Sequence, residues 1–319
     1  MNSGSNHSSL TRFAWISIAA ALVTMALKVA AYFLTGSIGL LSDAIESGVN
    51  LVGGVMALAM LRIAERPADE DHAYGHGKAE YFSSGVEGTL ILVAAASIAW
   101  AAVGRLITPK PLEQIGAGLA VSILASIVNL VVALLLLRVG RKRSSITLEA
   151  NAQHLLTDVW TSVGVVAGVA AVAFTGWQRL DPIVALAVAA NIVWTGIGIV
   201  RRSADGLMDA ALSPGDLAEI RKVLQAHESG GLQFHALRTR QAGARKFVSV
   251  HVLVPGEWTA RHSHELLELI EAEIREVLPG SHVFTHLEPL DDPASFADQT
   301  LERNDLPPTK PALPPASPK

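Results

Sequence analysis

Six long apolar stretches, at about 12–35, 38–63, 80–107, 115–138, 147–175 and 181–201, occupy the first two thirds of the chain. Each reaches the roughly 20 mostly apolar residues that a helix needs to cross about 30 Å of hydrocarbon. The composition agrees: 50% of the 319 residues are hydrophobic and only 17% charged, with mean hydropathy +0.37, too apolar for an ordinary soluble chain. The excess lies almost wholly between about Phe13 and Val200, whereas the sequence after Ser213 has the mixture of a small soluble domain. Two regions facing different solvents are implied.

Six spans place both termini on one side. Arg12, Arg62, Arg66, Lys78, Arg138, Arg141, Lys142, Arg143, Arg201 and Arg202 fall on the N-terminal side, against Arg105, Lys110 and Arg179 opposite. That bias predicts cytoplasmic termini. The opening MNSGSNHSS lacks the positive n-region of a secretory signal, so the first apolar run is read as a retained helix. A net charge of -4 gives no support to nucleic-acid binding. The absence of cysteine removes disulfides and restricts any metal site to His nitrogen and carboxylate or amide oxygen.

The spans are not uniformly apolar. The second holds Asp43, Glu46 and Asn50, the third Glu87, the fourth Asn129, and the fifth Asn151, His154 and Asp158. A charged side chain at the bilayer centre costs a few kcal/mol, so each needs a bundle interior, a partner or a water-filled path. Glu87 and Asn129, taken singly, are equally well read as interhelical hydrogen-bond groups. Two i, i+4 pairs, Glu46/Asn50 and His154/Asp158, are more specific. Residues four apart share a helix face, so two such pairs facing one another present four N/O ligands around one point, a tetrahedral metal site.

Two further clusters stand out. The loop DEDHAYGHGK brings Asp69, His72 and His76 close enough for one cation, with Gly75 and Gly77 letting the backbone turn. After Ser213, Pro214 to Ala226 reads as a helix, Leu232 to Arg240 and Lys246 to Val254 as a hairpin, His264 to Val277 as a second helix and His282 to Leu287 as a third strand. This predicts a small αββαβ domain of the ferredoxin-like or metallochaperone-like kind. His235 and His251 on the hairpin, His264, His286 and Glu288 could meet there around a metal, or stand on a solvated sheet face without one. The tail from about Pro293 is Pro-rich and is expected to be disordered. The expected division is an N-terminal tail 1–11, a transmembrane domain 12–212, a C-terminal domain 213–291 and a tail 292–319.

These segments resemble the cation diffusion facilitator family, specifically its bacterial zinc and iron exporters, over about residues 10–291. SIGLLSDAIESGVN, RPADEDHAYGHGKAE and HLLTDVWTSVGVV carry the resemblance, with LDPIVALAVAANIV, HALRTRQAG, VSVHVLVPG and PGSHVFTHLEP adding to it. The resemblance implies a homodimer of six-helix units in a bacterial inner membrane, exchanging a divalent metal, zinc or iron(II), for protons between the second and fifth helices. An ungapped alignment back from HAYGHGKAE puts Glu46 and Asn50 at the two second-helix positions and leaves Asp43 outside. His154 and Asp158 match outright. Glu46 and Asn50 depart from the usual carboxylate pairs, leaving one fewer negative charge at the site.

The resemblance also implies a cytoplasmic-side site of Asp69, His72 and His76, regulatory metal at His235, His251, His264, His286 and Glu288, and a dimer-interface pair of Lys78 and Asp209. No catalytic cofactor is expected; the chain is read as a secondary transporter. A membrane-anchored metal sensor is the alternative. An intramembrane metallohydrolase would need a catalytic base beside the metal, and no H-E-x-x-H pattern occurs in any span.

Overall fold

The computed structural model describes residues 10–35, 38–108, 116–228 and 231–297. Residues 1–9, Lys110 and the run 298–319 lie outside that set. The chain divides into two units, Met1–Asp209 with Ala242–Ala244, and Ala210–Gln241 with Arg245–Lys319.

The first unit holds six helices among the described residues: α1 Leu10–Thr35, α2 Ile38–Ala64, α3 Ala79–Ile107, α4 Gly116–Arg143, α5 Ile146–Thr175 and α6 Leu180–Leu207. Among the described residues, four segments are long and apolar enough to cross a bilayer: Leu10–Phe33, Ala79–Ile107, Ile123–Arg143 and Leu180–Leu207. Asn50–Ala64 of α2 is a shorter apolar segment. The helix ends follow local chemistry. Ser145 caps α5 by accepting from Leu148 N, and Gly176 closes it in the left-handed region at φ 72°.

The distribution of polarity is inverted relative to a water-soluble bundle. Trp100 is 85% and Phe174 91% exposed, and Phe33 and Trp194 are nearly as bare. Ser17, Asn50, Glu87, Asn129, Asn151 and His154 are buried instead. Apolar side chains face outward where lipid solvates them, and polar ones face inward where they find partners. This makes the protein an integral membrane protein. Glycines permit the tightest crossings: a Cβ at Gly88 of α3 would lie 2.9 Å from Val200 on α6, and one at Gly206 of α6 would enter the Tyr81 ring on α3.

The second unit runs α7 Pro214–Glu228, β1 Gln233–Ala242, β2 Arg245–Val254, α8 Ala260–Val277 and β3 Ser281–Pro289, the element order expected from the sequence. The sheet order is β1-β2-β3, with β2 and β3 parallel and His251 paired with His286. Alternation along β2 sends Val248, Val250, Val252 and Val254 into a core with Ile220, Leu224, Ile270 and Ile274, leaving His251 on the other face. Phe234 and Leu237 of β1, three apart, both pack on that core. Ala236 between them has a positive φ of 50°, a departure from regular strand geometry at the point where the alternation is broken.

The tail expected to be disordered from about Pro293 begins with structure instead. Pro293–Phe296 forms a 3-10 turn because Asp292 caps Ala294 N, Ser295 donates to Pro289 O and the Phe296 ring meets His235 edge-on at 6.4 Å.

Candidate metal centres

The intramembrane constellation forms between α2 and α5. Asn50 and His154 are buried, at 6% and 7% exposure, and Asp158 is half-buried. The Asn50 amide lies between the other two: Nδ2 donates to Asp158 Oδ2 and Oδ1 touches His154 Nε2. Asn129 Nδ2 on α4 donates to the same Asp158 oxygen at 2.9 Å. Glu46 lies one turn before Asn50 on α2; its side chain and that of Asp43 lie outside the described residues. Three of the four residues expected at this site, Asn50, His154 and Asp158, therefore meet between α2 and α5.

Behind this point lies a layer that spacing did not identify. Glu87, 1% exposed, sits with Oε2 3.2 Å from His154 Nδ1. That oxygen accepts no aligned hydrogen bond; the contact is one of charge and proximity. Glu87 Oε1 accepts from Asn151 Nδ2 at 3.3 Å, and Asn151 Oδ1 accepts from Ser17 at 2.7 Å. The sequence marks Glu87, Asn129 and Asn151 only as polar groups at span positions. Nothing marks Ser17, because serine satisfies its own helix carbonyls at little cost.

In the α2–α3 loop, His72 N donates to Asp69 Oδ1 at 2.7 Å, His72 Nδ1 stands 3.3 Å from Oδ1 and His76 Nε2 3.4 Å from Oδ2. The backbone hydrogen bond from His72, with lesser help from the imidazoles, holds the Asp69 carboxyl below the usual carboxylate range. One ligand atom from each of the three residues lies within 4.8 Å of the others. Gly75 meets the turn's demand with φ 81°.

In the second unit, His235 Nε2, His251 Nδ1 and Glu288 Oε2 form a triangle of 2.9, 3.3 and 3.3 Å. Bonds of about 2.0–2.1 Å to a tetrahedral metal place ligand atoms about 3.3 Å apart, so this donor set fits a divalent transition metal. The register of β3 beside β2 explains the meeting, because His286 and Glu288 share the face of His251. His286 flanks the triangle, its Nε2 3.6 Å from Glu288 Oε1. His264, exposed on α8, does not join the group. Lys78 Nζ pairs with Asp209 Oδ1 at 3.0 Å and donates to Leu207 O at 3.1 Å within one chain.

The family model for the cation efflux transmembrane domain matches residues 14–208, and that for the cation efflux protein cytoplasmic domain matches 212–290. An uncharacterized transporter of Synechocystis, sll1263, is 52% identical over 89% of this chain and 92% of its own. The cation-efflux pump FieF of Salmonella arizonae is 27% identical, covering 93% and 97% of the two chains. A solved chain of CzrB, described as a candidate zinc transporter, is 34% identical over 24% of this chain and 96% of its own, with a TM-score of 0.23.

Proposed function

The chain belongs to the cation diffusion facilitator family of divalent metal exporters, and on that premise we propose that it exports zinc or iron(II) in exchange for protons through a site of Glu46, Asn50, His154 and Asp158. It is a transporter rather than an enzyme, and family membership favours export over the anchored sensor. The observation that carries the site is the meeting of Asn50, His154 and Asp158 in the polar interior of a bundle whose outer surface is apolar. An all-N/O donor set of borderline hardness suits zinc or iron(II).

The topology read from the basic residues goes with this function. In this reading residues 12–212 span the inner membrane of a bacterium six times, with both termini and the 213–291 domain in the cytoplasm. Metal enters past the loop of Asp69, His72 and His76. It is held between α2 and α5 and leaves on the far side when the bundle rocks. The second unit's His235, His251 and Glu288, with His286 beside them, hold a regulatory metal and serve a homodimer, to which Lys78 and Asp209 contribute at the membrane-proximal end.

His154 is where metal and proton compete. Asp158 accepts from the Asn50 amide nitrogen, so the oxygen of that amide faces His154 Nε2. Glu87, an acceptor when ionised, faces Nδ1. An amide oxygen at Nε2 and a carboxylate close to Nδ1 suit an imidazolium, whereas metal binding requires a bare Nε2. Loading the metal therefore releases a proton from Nε2, and an inward proton gradient drives the metal outward.

Metal flux into proteoliposomes under an imposed pH gradient tests the reading. His154→Ala and Asp158→Ala are expected to abolish zinc and iron(II) flux at matched protein levels; parental rates in both variants would remove the site assignment. Flux indifferent to reversal of the gradient would remove proton coupling alone.

A further inference from the structure

We infer that Glu87, one layer behind the transport site, is a positioning residue that orients His154 toward the metal and supplies negative charge that Asn50 does not. The inference rests on the transport-site reading above. A carboxylate that is 1% exposed in the interior of a membrane bundle is costly unless its charge is faced and its oxygens are held. The charge is faced by His154 and one of the two oxygens is held. Oε2 stands 3.2 Å from His154 Nδ1, and Oε1 is held by Asn151, itself held by Ser17 of α1.

A second observation comes from α2. A Cβ at Gly53 would lie 2.9 Å from Glu87 Oε1 and 3.2 Å from its carboxyl carbon. The helix that carries Asn50 is thus bare of side chain, three residues further on, where the Glu87 carboxylate reaches across from α3. The carboxylate is built in from three helices besides its own: Gly53 on α2 makes room for it, Ser17 on α1 and Asn151 on α5 fix its first oxygen, and His154 faces its second.

The consequence concerns charge and tautomer. Among the described side chains of the proposed transport site, Asp158 is the one carboxylate, while Asn50 and His154 would bind a cation as neutral groups. A divalent cation in a low-dielectric interior gains from further negative charge close by. A carboxylate 3.2 Å from Nδ1 favours the ring proton on that nitrogen and leaves the Nε2 lone pair, on the side of Asn50, for the metal. Glu87 thereby does part of what a carboxylate at position 50 would do directly.

Zinc binding to the solubilised full chain by calorimetry, and zinc flux in proteoliposomes, test this. Glu87→Gln is expected to weaken zinc binding and raise KM by about 10- to 100-fold with kcat nearly kept. Adding Asn50→Asp, which puts a carboxylate against the metal itself, is expected to recover most of that loss. Gly53→Ala, which forces the carboxylate aside without removing it, is expected to move affinity and KM in the same direction and serves where Glu87→Gln does not fold. Unchanged affinity and KM in the folded variants overturn the assignment, as do a fall in kcat at constant KM and a double variant no better than Glu87→Gln. His154→Ala separates the two readings. If it binds and carries zinc like the parent, the transport-site reading has failed; if it loses zinc while Glu87→Gln keeps it, the role of Glu87 alone has failed.

Discussion

His282 illustrates how one side chain ties local packing to solution behaviour. It stacks on Phe247, ring centroids 5.2 Å apart at 18°, and although its outer edge is exposed, partial burial, with a lesser contribution from Arg245, holds its pKa below the ordinary histidine value. The unfolded chain therefore binds a proton more readily there than the folded one, so stability rises with pH across that window. As pH falls through about 6.5 the second unit is expected to lose protection, the loss being complete below the folded pKa. Hydrogen exchange of β2 and β3 measured from neutral to acid pH checks this, and His282→Phe is expected to lessen the acid loss relative to the parent. Asp69 has the opposite sense: the backbone hydrogen bond from His72 lowers its pKa and keeps the carboxylate ionised further into acid than an ordinary aspartate.

Among the elements, α3 and α6 make the most extensive packing in the first unit, and its tightness depends on glycine. An alanine at Gly206 would drive its Cβ into the Tyr81 ring, so Gly206→Ala is expected to cost about 1–3 kcal/mol by overpacking and to lower the unfolding midpoint in detergent. Gly104→Ala, on the same α3 but with nothing within 4 Å of the new Cβ, is expected to leave it unchanged or slightly raised. Element existence was legible because the relevant periods are local. The apolar runs predict six long helices, and two-residue alternation along Lys246 to Val254 predicts β2. The break in alternation at Ala236 was not legible, because an alanine at φ 50° has no compositional marker and the break follows from Phe234 and Leu237 both reaching the core.

For the molecule as a whole, two metal environments with different tasks are expected to separate under mutation. His235→Ala removes one corner of the 2.9 and 3.3 Å triangle with Glu288 and His251. It is expected to lower the zinc stoichiometry of the full chain by calorimetry while keeping flux above that of Asp158→Ala. Flux as low as in Asp158→Ala would mean that metal in the second unit is required for transport rather than regulatory. His264, grouped with these ligands by resemblance, stands apart on α8, and its substitution is expected to leave that stoichiometry intact.

The sequence by itself determined the membrane character, the αββαβ order of the second unit and the pairing of His154 with Asp158, because helix and strand periods translate spacing into faces without reference to the rest of the fold. Tertiary structure alone decided which other polar groups reach those faces. Glu87, Asn129, Asn151 and Ser17 lie on four different helices, and only interhelical packing aims Glu87 at the ring of His154 rather than at a bland interhelical partner. Likewise the parallel register of β3 on β2, not the spacing of histidines, chose Glu288 over His264. Local periodicity is written in the chain, whereas the approach of distant helices and strands depends on how all the side chains between them pack.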